Sequence, residues 1–139
     1  MTGRCSILYI NADGFADTQS TALRSLGFDV EEVCDLPARE VLVRHHGVII
    51  RLKNGPQMTG VSTRLRAAPL FGRRALIGLV PNSVTLRERR EAVHSGFDLV
   101  LPEQCSARDL AASILMLLRK CPEHRCVLRF HTNRRRAVA

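Results

Sequence analysis

The chain has 139 residues and a formal net charge of +8, and this length predicts one globular domain with a short tail. Hydrophobic residues make up 45% of the sequence and charged residues 24%, which excludes a disordered chain. No segment approaches the run of about 20 apolar residues that a membrane helix needs, and the N-terminus lacks a signal-peptide core. We therefore expect a cytoplasmic protein without a membrane partner.

The amino-terminal part of the chain alternates strand-like and helix-like segments. Residues 6–10 form a short apolar run rich in strand formers, which a turn-prone segment follows. Apolar residues spaced three to four apart predict a helix over 18–26 that ends at Gly27. Residues 28–33 alternate only partly in polarity, as expected for an edge strand with one solvated face.

The same alternation continues to residue 120. It predicts helices over 37–43, 60–67, 83–94 and 106–120, and strands over 46–52, 75–80 and 97–101. We interpret His45 and His46 as a surface turn before the third strand. Five strands alternating with five helices through short loops indicate an α/β domain with a doubly wound parallel sheet. Ligand or partner chemistry in such sheets gathers at the carboxyl ends of the strands.

Four short segments then stand out by their order and spacing: residues 7–10 with the turn after them, residues 26–30, the strand before Leu52, and residues 95–98. Together they resemble the receiver domain of bacterial two-component response regulators. The resemblance covers about residues 4–120 and implies a flavodoxin-like fold with Mg²⁺-dependent autophosphorylation of an aspartate. It divides the chain into a receiver-like domain, 1–120, and a basic C-terminal tail, 121–139.

The phosphorylation chemistry of that family needs an acidic pair after the first strand, an Asp after the third, a Thr or Ser after the fourth and a Lys after the fifth. The corresponding positions here hold Asn11 and Ala12 with the neighbouring Asp13, then Arg51, Val80 and Glu103. In an alternative register, Leu101 and Pro102 stand against the Lys-Pro pair of the family. A guanidinium cannot act as a carboxylate nucleophile, which excludes aspartyl phosphorylation at residue 51. Without the acidic pair we expect little or no Mg²⁺ binding.

Arg51 and Glu103 reverse the charges that the resemblance implies while remaining complementary to each other. Our hypothesis is that Arg51 forms a fixed salt bridge with Glu103 or with Asp13, which would hold one loop arrangement without phosphate. The alternative is that Arg51 extends into solvent with its charge unpaired.

Other candidate sites are weaker. The five cysteines are odd in number and scattered, which is typical of reduced thiols, and we expect the first three, Cys5, Cys34 and Cys105, to be small core or near-core residues. Potential zinc ligands near the C-terminus are spaced too loosely for a structural site; they are Cys121, His124, Cys126 and His131. No arrangement of residues indicates catalysis, so we predict neither an enzyme nor a bound metal or cofactor.

The sequence leaves two functional interpretations. The first is a stand-alone degenerate receiver that acts in phosphorelay-type signal transduction as a phosphorylation-independent interaction module. Its partner would be another signalling protein or a second copy, and the resemblance implies binding through the fourth helix, fifth strand and fifth helix. The apolar run 111–118 is wider than a core-facing stripe needs, so we expect part of it to belong to a partner interface. The second is a small basic nucleic-acid-associated protein that dimerises through the same domain and contacts phosphates through Arg134, Arg135 and Arg136.

Overall fold

Five parallel strands form the centre of the structure, a computed structural model that describes residues 5–11, 18–35, 42, 44–52, 60–61, 63–66 and 75–119. The strands are β1 (Ser6–Asn11), β2 (Asp29–Val33), β3 (Gly47–Arg51), β4 (Ala75–Val80) and β5 (Leu99–Pro102). Their order across the sheet is β2-β1-β3-β4-β5, and every neighbouring pair is parallel. This is the flavodoxin-like order, so the predicted fold class is confirmed.

Three helices have described bounds: α1 (Thr18–Ser25), α2 (Leu86–Ser95) and α3 (Ala107–Arg119). They are the first, fourth and fifth of the predicted helices. Of the predicted helix over 37–43 only residue 42 is described, whereas residues 60–61 and 63–66 of the predicted helix over 60–67 are described; all of these residues are helical. Within the described part of the chain, no helix is long and apolar enough to cross a membrane.

Local sequence signals set the ends of these helices. At the start of α2, the Thr85 hydroxyl accepts a hydrogen bond from the Glu88 amide at 3.1 Å, and the Glu88 carboxylate accepts one from the Thr85 amide at 3.0 Å. This reciprocal pair satisfies two amides that the helix itself cannot. Gly27 and Gly96 follow α1 and α2 with φ of 104° and 138°, conformations that side-chain-bearing residues rarely adopt. The predicted end of the first helix at Gly27 is therefore confirmed.

Apolar side chains form a core on each face of the sheet. On one face, Leu23 of α1 and Ile114 of α3 pack in a buried cluster that includes Tyr9 of β1. On the other face, Leu8 of β1 and Ala92 of α2 belong to a second cluster. Because β1 contributes to both cores, its sequence is continuously apolar and does not alternate.

The two edges of the sheet differ in polarity. At the β2 edge, Val30 is buried while Asp29, Glu31 and Glu32 are exposed, which confirms the predicted edge strand. At the opposite edge, the apolar residues of β5 are all half-buried. Cys34 lies just beyond the acidic edge strand and is exposed, so the prediction that it is a core or near-core residue is wrong. Cys5 is buried and Cys105 half-buried, as predicted.

Candidate functional site at the carboxyl ends of the strands

The strand order places a crevice between β1 and β3. The connections from these two strands run to opposite sides of the sheet, which makes this the switch point at which ligands of doubly wound sheets bind. The last residues of the two strands, Asn11 and Arg51, are direct partners in the parallel pairing. Two of the predicted site residues therefore lie side by side at the mouth of the crevice.

Arg51 forms an ion pair across the end of the sheet. Its Nη2 donates to Oε2 of Glu103, the residue after β5, at 2.9 Å. The two side chains are 21% and 32% exposed, so the pair is only partly hydrated. Of the two predicted acidic partners, the structure brings Glu103 to Arg51, whereas Asp13 lies outside the described residues. The alternative of an unpaired Arg51 in solvent is wrong.

The loop that carries Glu103 is anchored from two other elements. The backbone amide of Glu103 donates to the carbonyl of Val80, the last residue of β4, at 2.8 Å. Gln19 in the first turn of α1 donates from Nε2 to the backbone carbonyl of Cys105, with a longer contact of 3.5 Å to the carbonyl of Glu103. The carboxylate is thus presented to Arg51 by a backbone held at β4 and at α1.

Val80 is fully buried at the carboxyl end of β4. Its side chain has no hydrogen-bonding group, and its carbonyl is used by Glu103. A threonine or serine here would offer a hydroxyl to a ligand in the crevice, whereas valine offers only packing. The side of the crevice formed by β4 is therefore apolar at this position.

Asn11 is directed into the fold. It is buried, and its Nδ2 lies 3.5 Å from Oε2 of Glu32 on β2, while the Ser20 hydroxyl of α1 donates to the other oxygen of Glu32 at 2.6 Å. A neutral amide held by a neighbouring strand is a poor substitute for a carboxylate that faces a cation. Ala12 lies outside the described residues, as Asp13 does.

No group of three or more His, Cys, Asp or Glu side chains in the described ranges is arranged to hold a metal ion. The loosely spaced Cys and His residues between 121 and 131 lie beyond those ranges. Arg134, Arg135 and Arg136 also lie beyond those ranges, so their interaction role stays a prediction. The domain boundary at residue 120 stays a prediction as well.

Burial changes the chemistry of Cys105, a thiol near the crevice. Half-burial raises the pKa of the Cys105 thiol, the negative charge of Asp109 raises it further, and a hydrogen bond with its own backbone opposes them. A raised pKa leaves less thiolate at neutral pH, and the thiolate is the reactive form. Cys105 is therefore suited to a packing role.

Sequence reasoning missed several polar contacts. Gln19 gave no signal, because a single glutamine at the start of a helix has no pattern that identifies its partner. The interpretation of His45 as a surface turn is wrong: its side chain is 7% exposed and contacts Ser6 and Glu31. Asp98 was also missed as an anchor, although it accepts from the Leu76 amide at 2.7 Å and pairs with Arg66 at 2.9 Å.

Neither a protein-family model nor a curated protein matches this sequence. Solved structures do match it. An atypical orphan response regulator is 18% identical, with 82% of this chain and 95% of that chain covered and a TM-score of 0.65. An orphan response regulator of H. pylori is 17% identical, with 84% and 99% covered and a TM-score of 0.61.

A third similar structure is the receiver domain of a Pseudomonas aeruginosa sensor histidine kinase with magnesium in its active-site cleft. It is 20% identical, with 83% of this chain and 98% of that chain covered and a TM-score of 0.58. These similarities show that the chain has the receiver fold, as the sequence resemblance implied.

Proposed function

We propose that this chain is a cytoplasmic signalling module of the degenerate receiver type, which acts by binding another protein and not by phosphoryl transfer or other catalysis. The observation that carries the proposal is the 2.9 Å ion pair between Arg51 and Glu103 at the end of the sheet. It brings two charges of this chain to the crevice. Arg51 stands where the resemblance implies a phosphorylatable carboxylate, and Glu103 stands where one of the two registers implies a lysine.

The ion pair favours one arrangement of the loop after β5. Removing either partner leaves a partly desolvated charge, so arrangements that separate Arg51 from Glu103 are disfavoured. The anchors from Gln19 and Val80 restrict the same loop. A ligand shifts a conformational equilibrium only by its differential affinity for the two states. An acceptor position that holds Arg51 gives a phosphodonor no such difference, and we infer that the domain is constitutive.

Orphan response regulators among the similar structures support this proposal. The atypical one is described as having a phosphorylation-independent regulatory mechanism. That description belongs to that protein, and at 18% identity it supports the proposal by analogy of fold and not by shared site residues.

The β5 edge of the sheet is the surface through which we propose that the module binds. Three large apolar side chains are exposed on the two helices that precede and follow β5 in the chain: Leu86 at 64% and Val93 at 45% on α2, and Met116 at 48% on α3. The strand between the helices contributes half-buried Leu99–Pro102 without a charge. We call Leu86, Val93, Met116 and Leu99–Pro102 the β5 edge surface. Its apolar character fits a second copy of this chain or another signalling protein.

Intact mass spectrometry after incubation with acetyl phosphate and Mg²⁺ tests the proposal. We expect no phosphoryl adduct on the native chain, with an intact aspartate-bearing receiver as the positive control. Amide NMR signals of the loop after β5 should not move with the phosphodonor but should move in Glu103→Gln, which keeps the shape of the side chain and removes its charge. An adduct on the native chain would overturn the proposal. An Arg51→Asp variant that gains an adduct would argue against a rebuilt crevice.

The nucleic-acid interpretation has one observation in its favour. Residues 121–139 carry five arginines and one acidic residue, enough to contact several phosphates. Fluorescence anisotropy of labelled duplex DNA at two salt concentrations separates the two functions, because each neutralised phosphate contributes a slope of about −0.9 in log affinity against log salt. Steeply salt-dependent binding that is lost when Arg134, Arg135 and Arg136 are changed to Ser would favour this second function.

A further inference from the structure

Two adjacent histidines at the amino-terminal end of the sheet, His45 and His46, make hydrogen bonds that the crevice does not use. His46 exchanges two bonds with Ser6, the first residue of β1: its Nδ1 accepts from the Ser6 amide at 3.0 Å, and its own amide donates to the Ser6 carbonyl at 2.8 Å. His45 lies between strands, with Nδ1 at 2.7 Å from the Ser6 hydroxyl and Nε2 at 2.9 Å from the Glu31 carboxylate.

The bond between the Ser6 amide and His46 fixes the charge state of the His46 ring. A backbone amide can only donate, so Nδ1 of His46 must carry a lone pair, and the ring is then neutral with its proton on Nε2. A doubly protonated ring would direct an N–H group from Nδ1 at the N–H group of Ser6. Protonating His46 therefore removes this bond.

His45 differs because its partners suit both charge states. The Glu31 carboxylate accepts from Nε2 whether the ring is neutral or charged. The Ser6 hydroxyl donates to Nδ1 of a neutral ring and can rotate to accept from Nδ1 of a charged one. Both of these hydrogen bonds of the nearly buried His45 thus survive protonation.

We propose that His46 makes the amino-terminal end of the sheet sensitive to acid: protonating its ring releases the Ser6 amide and loosens the start of β1, while His45 continues to hold β1 to the edge strand β2. The inference is independent of the function proposed for the crevice, which lies at the opposite ends of the strands.

The direction of the effect follows from the two states. The unfolded chain takes up a proton at an ordinary imidazole pKa of about 6.5, whereas the folded chain must break the Ser6 bond to do so. The unfolded state then binds more protons as the pH falls, so this contribution to stability is present at high pH and is lost on acidification.

Other titratable groups stand on the elements around the pair. Among the described residues these groups are Cys5 beside Ser6, Asp29 and Glu31 on β2, and Arg44 in the segment before β3. The neighbouring strand β4 begins with Ala75, whose amide donates to the His46 carbonyl at 3.4 Å and whose side chain has no charge. Since these groups also titrate or set the local field, the test compares variants at each pH and not the native chain alone.

The residue types of this cluster match those of a hydrolytic triad, but the match does not make the cluster a hydrolytic site. Ser6, His45 and Glu31 stand in the order nucleophile, base and acid. The backbone amide of a nucleophilic serine contributes to the oxyanion hole in the chymotrypsin-type triad. Here the Ser6 amide already donates to His46.

The test is urea unfolding of the full chain at about pH 7.5 and about pH 5.5, on either side of ordinary imidazole titration. The main variant is His46→Asn, whose side-chain oxygen can take the acceptor place of Nδ1 without titrating. The matched control is His45→Gln, which changes the neighbouring ring and leaves His46 intact. Hydrogen exchange of the Ser6 amide reports the local event at each pH.

We expect the unfolding midpoint of the native chain to fall on acidification. The protection of the Ser6 amide, which is its exchange rate relative to the intrinsic rate at the same pH, should also fall several-fold. In His46→Asn, acidification should change the unfolding midpoint and the Ser6 amide protection less than in the native chain. In His45→Gln, it should change both about as much as in the native chain. An acid response that is unchanged in His46→Asn would overturn the proposal. If that variant fails to fold, ¹⁵N spectra of the native imidazoles decide: His46 carrying a proton on Nδ1 at about pH 7.5 would equally overturn it.

Discussion

At the scale of a single residue, the charge of Arg51 sets the electrostatics of the crevice. Its guanidinium stays protonated at any pH the fold tolerates and is held 2.9 Å from Glu103. Both side chains remain partly exposed, so solvent screening limits the pair to about 1 kcal/mol. The pair is therefore better understood as selecting a loop arrangement than as a main source of stability.

Cys105 provides a prediction at the same scale. Because burial and then the charge of Asp109 raise its pKa, we expect iodoacetamide to alkylate it much more slowly at neutral pH than the exposed Cys34. The rate should increase as the pH rises toward the raised pKa and more thiolate forms. Mass spectrometry of the alkylated peptides measures each site separately.

Asp109 variants separate charge from burial in that prediction. Asp109→Asn removes the negative charge and should speed alkylation of Cys105 several-fold at neutral pH, whereas Asp109→Glu keeps the charge and should leave the rate nearly unchanged. Equal rates for Cys105 and Cys34 in the native chain would contradict the prediction.

The ends of the helices and strands are determined partly by local sequence signals and partly by tertiary contacts. The fifth strand was predicted from Phe97, but β5 begins at Leu99. Phe97 instead donates its amide to the Ala92 carbonyl and closes the end of α2, and Asp98 exchanges hydrogen bonds with Leu76 at the start of β4. These two residues connect helix to sheet before the strand pairing starts.

Thr85 provides a prediction at the scale of an element. Thr85→Ala removes the hydroxyl that accepts from the Glu88 amide, and we expect a loss of about 1 kcal/mol in the free energy of unfolding. Thr85→Ser keeps the hydroxyl and should lose much less. Urea denaturation of the two variants measures the difference, and equal losses would show that the cap does not stabilise α2.

Elements were predictable because their signals lie within short segments. The continuous apolar run 75–80 became β4 with the predicted bounds, since a strand buried on both faces has no polar position. The ion pair was predictable only as a choice between two acids. The position of Glu103 depends on how Gln19 and Val80 hold a loop that is distant from both of them in sequence. Such backbone contacts leave no pattern in residue types.

At the scale of the whole molecule, the two edges of the sheet have opposite characters. The β2 edge exposes three carboxylates, and charged side chains on an edge strand oppose pairing with another chain. The β5 edge surface has no comparable protection along its strand. A partner is therefore expected at one edge and not at the other.

Self-association through the β5 edge surface is the corresponding prediction. We expect the native chain to sediment as a dimer at micromolar concentration and Leu86→Glu with Met116→Glu to sediment as a monomer, because the two new charges would face apolar partners across the interface. Both residues are exposed, so the unfolding midpoint should hardly change. Sedimentation velocity measures the assembly.

The control for that prediction places the same charge elsewhere. Thr21→Glu adds a carboxylate at an exposed position of α1, a helix that is not part of the β5 edge surface, and should leave the sedimentation of the chain unchanged. A native chain that sediments as a monomer at every concentration tested would contradict self-association.

The ion pair between Arg51 and Glu103 also affects how long the protein stays in one functional state. A phosphoryl group is added by one event and lost by another, whereas two encoded charges are present from the time the chain folds until it is degraded. Under the proposed function, each copy is in its binding form throughout its life. The cell could then adjust the output only through the number of copies, and control would pass to the rates of synthesis and turnover.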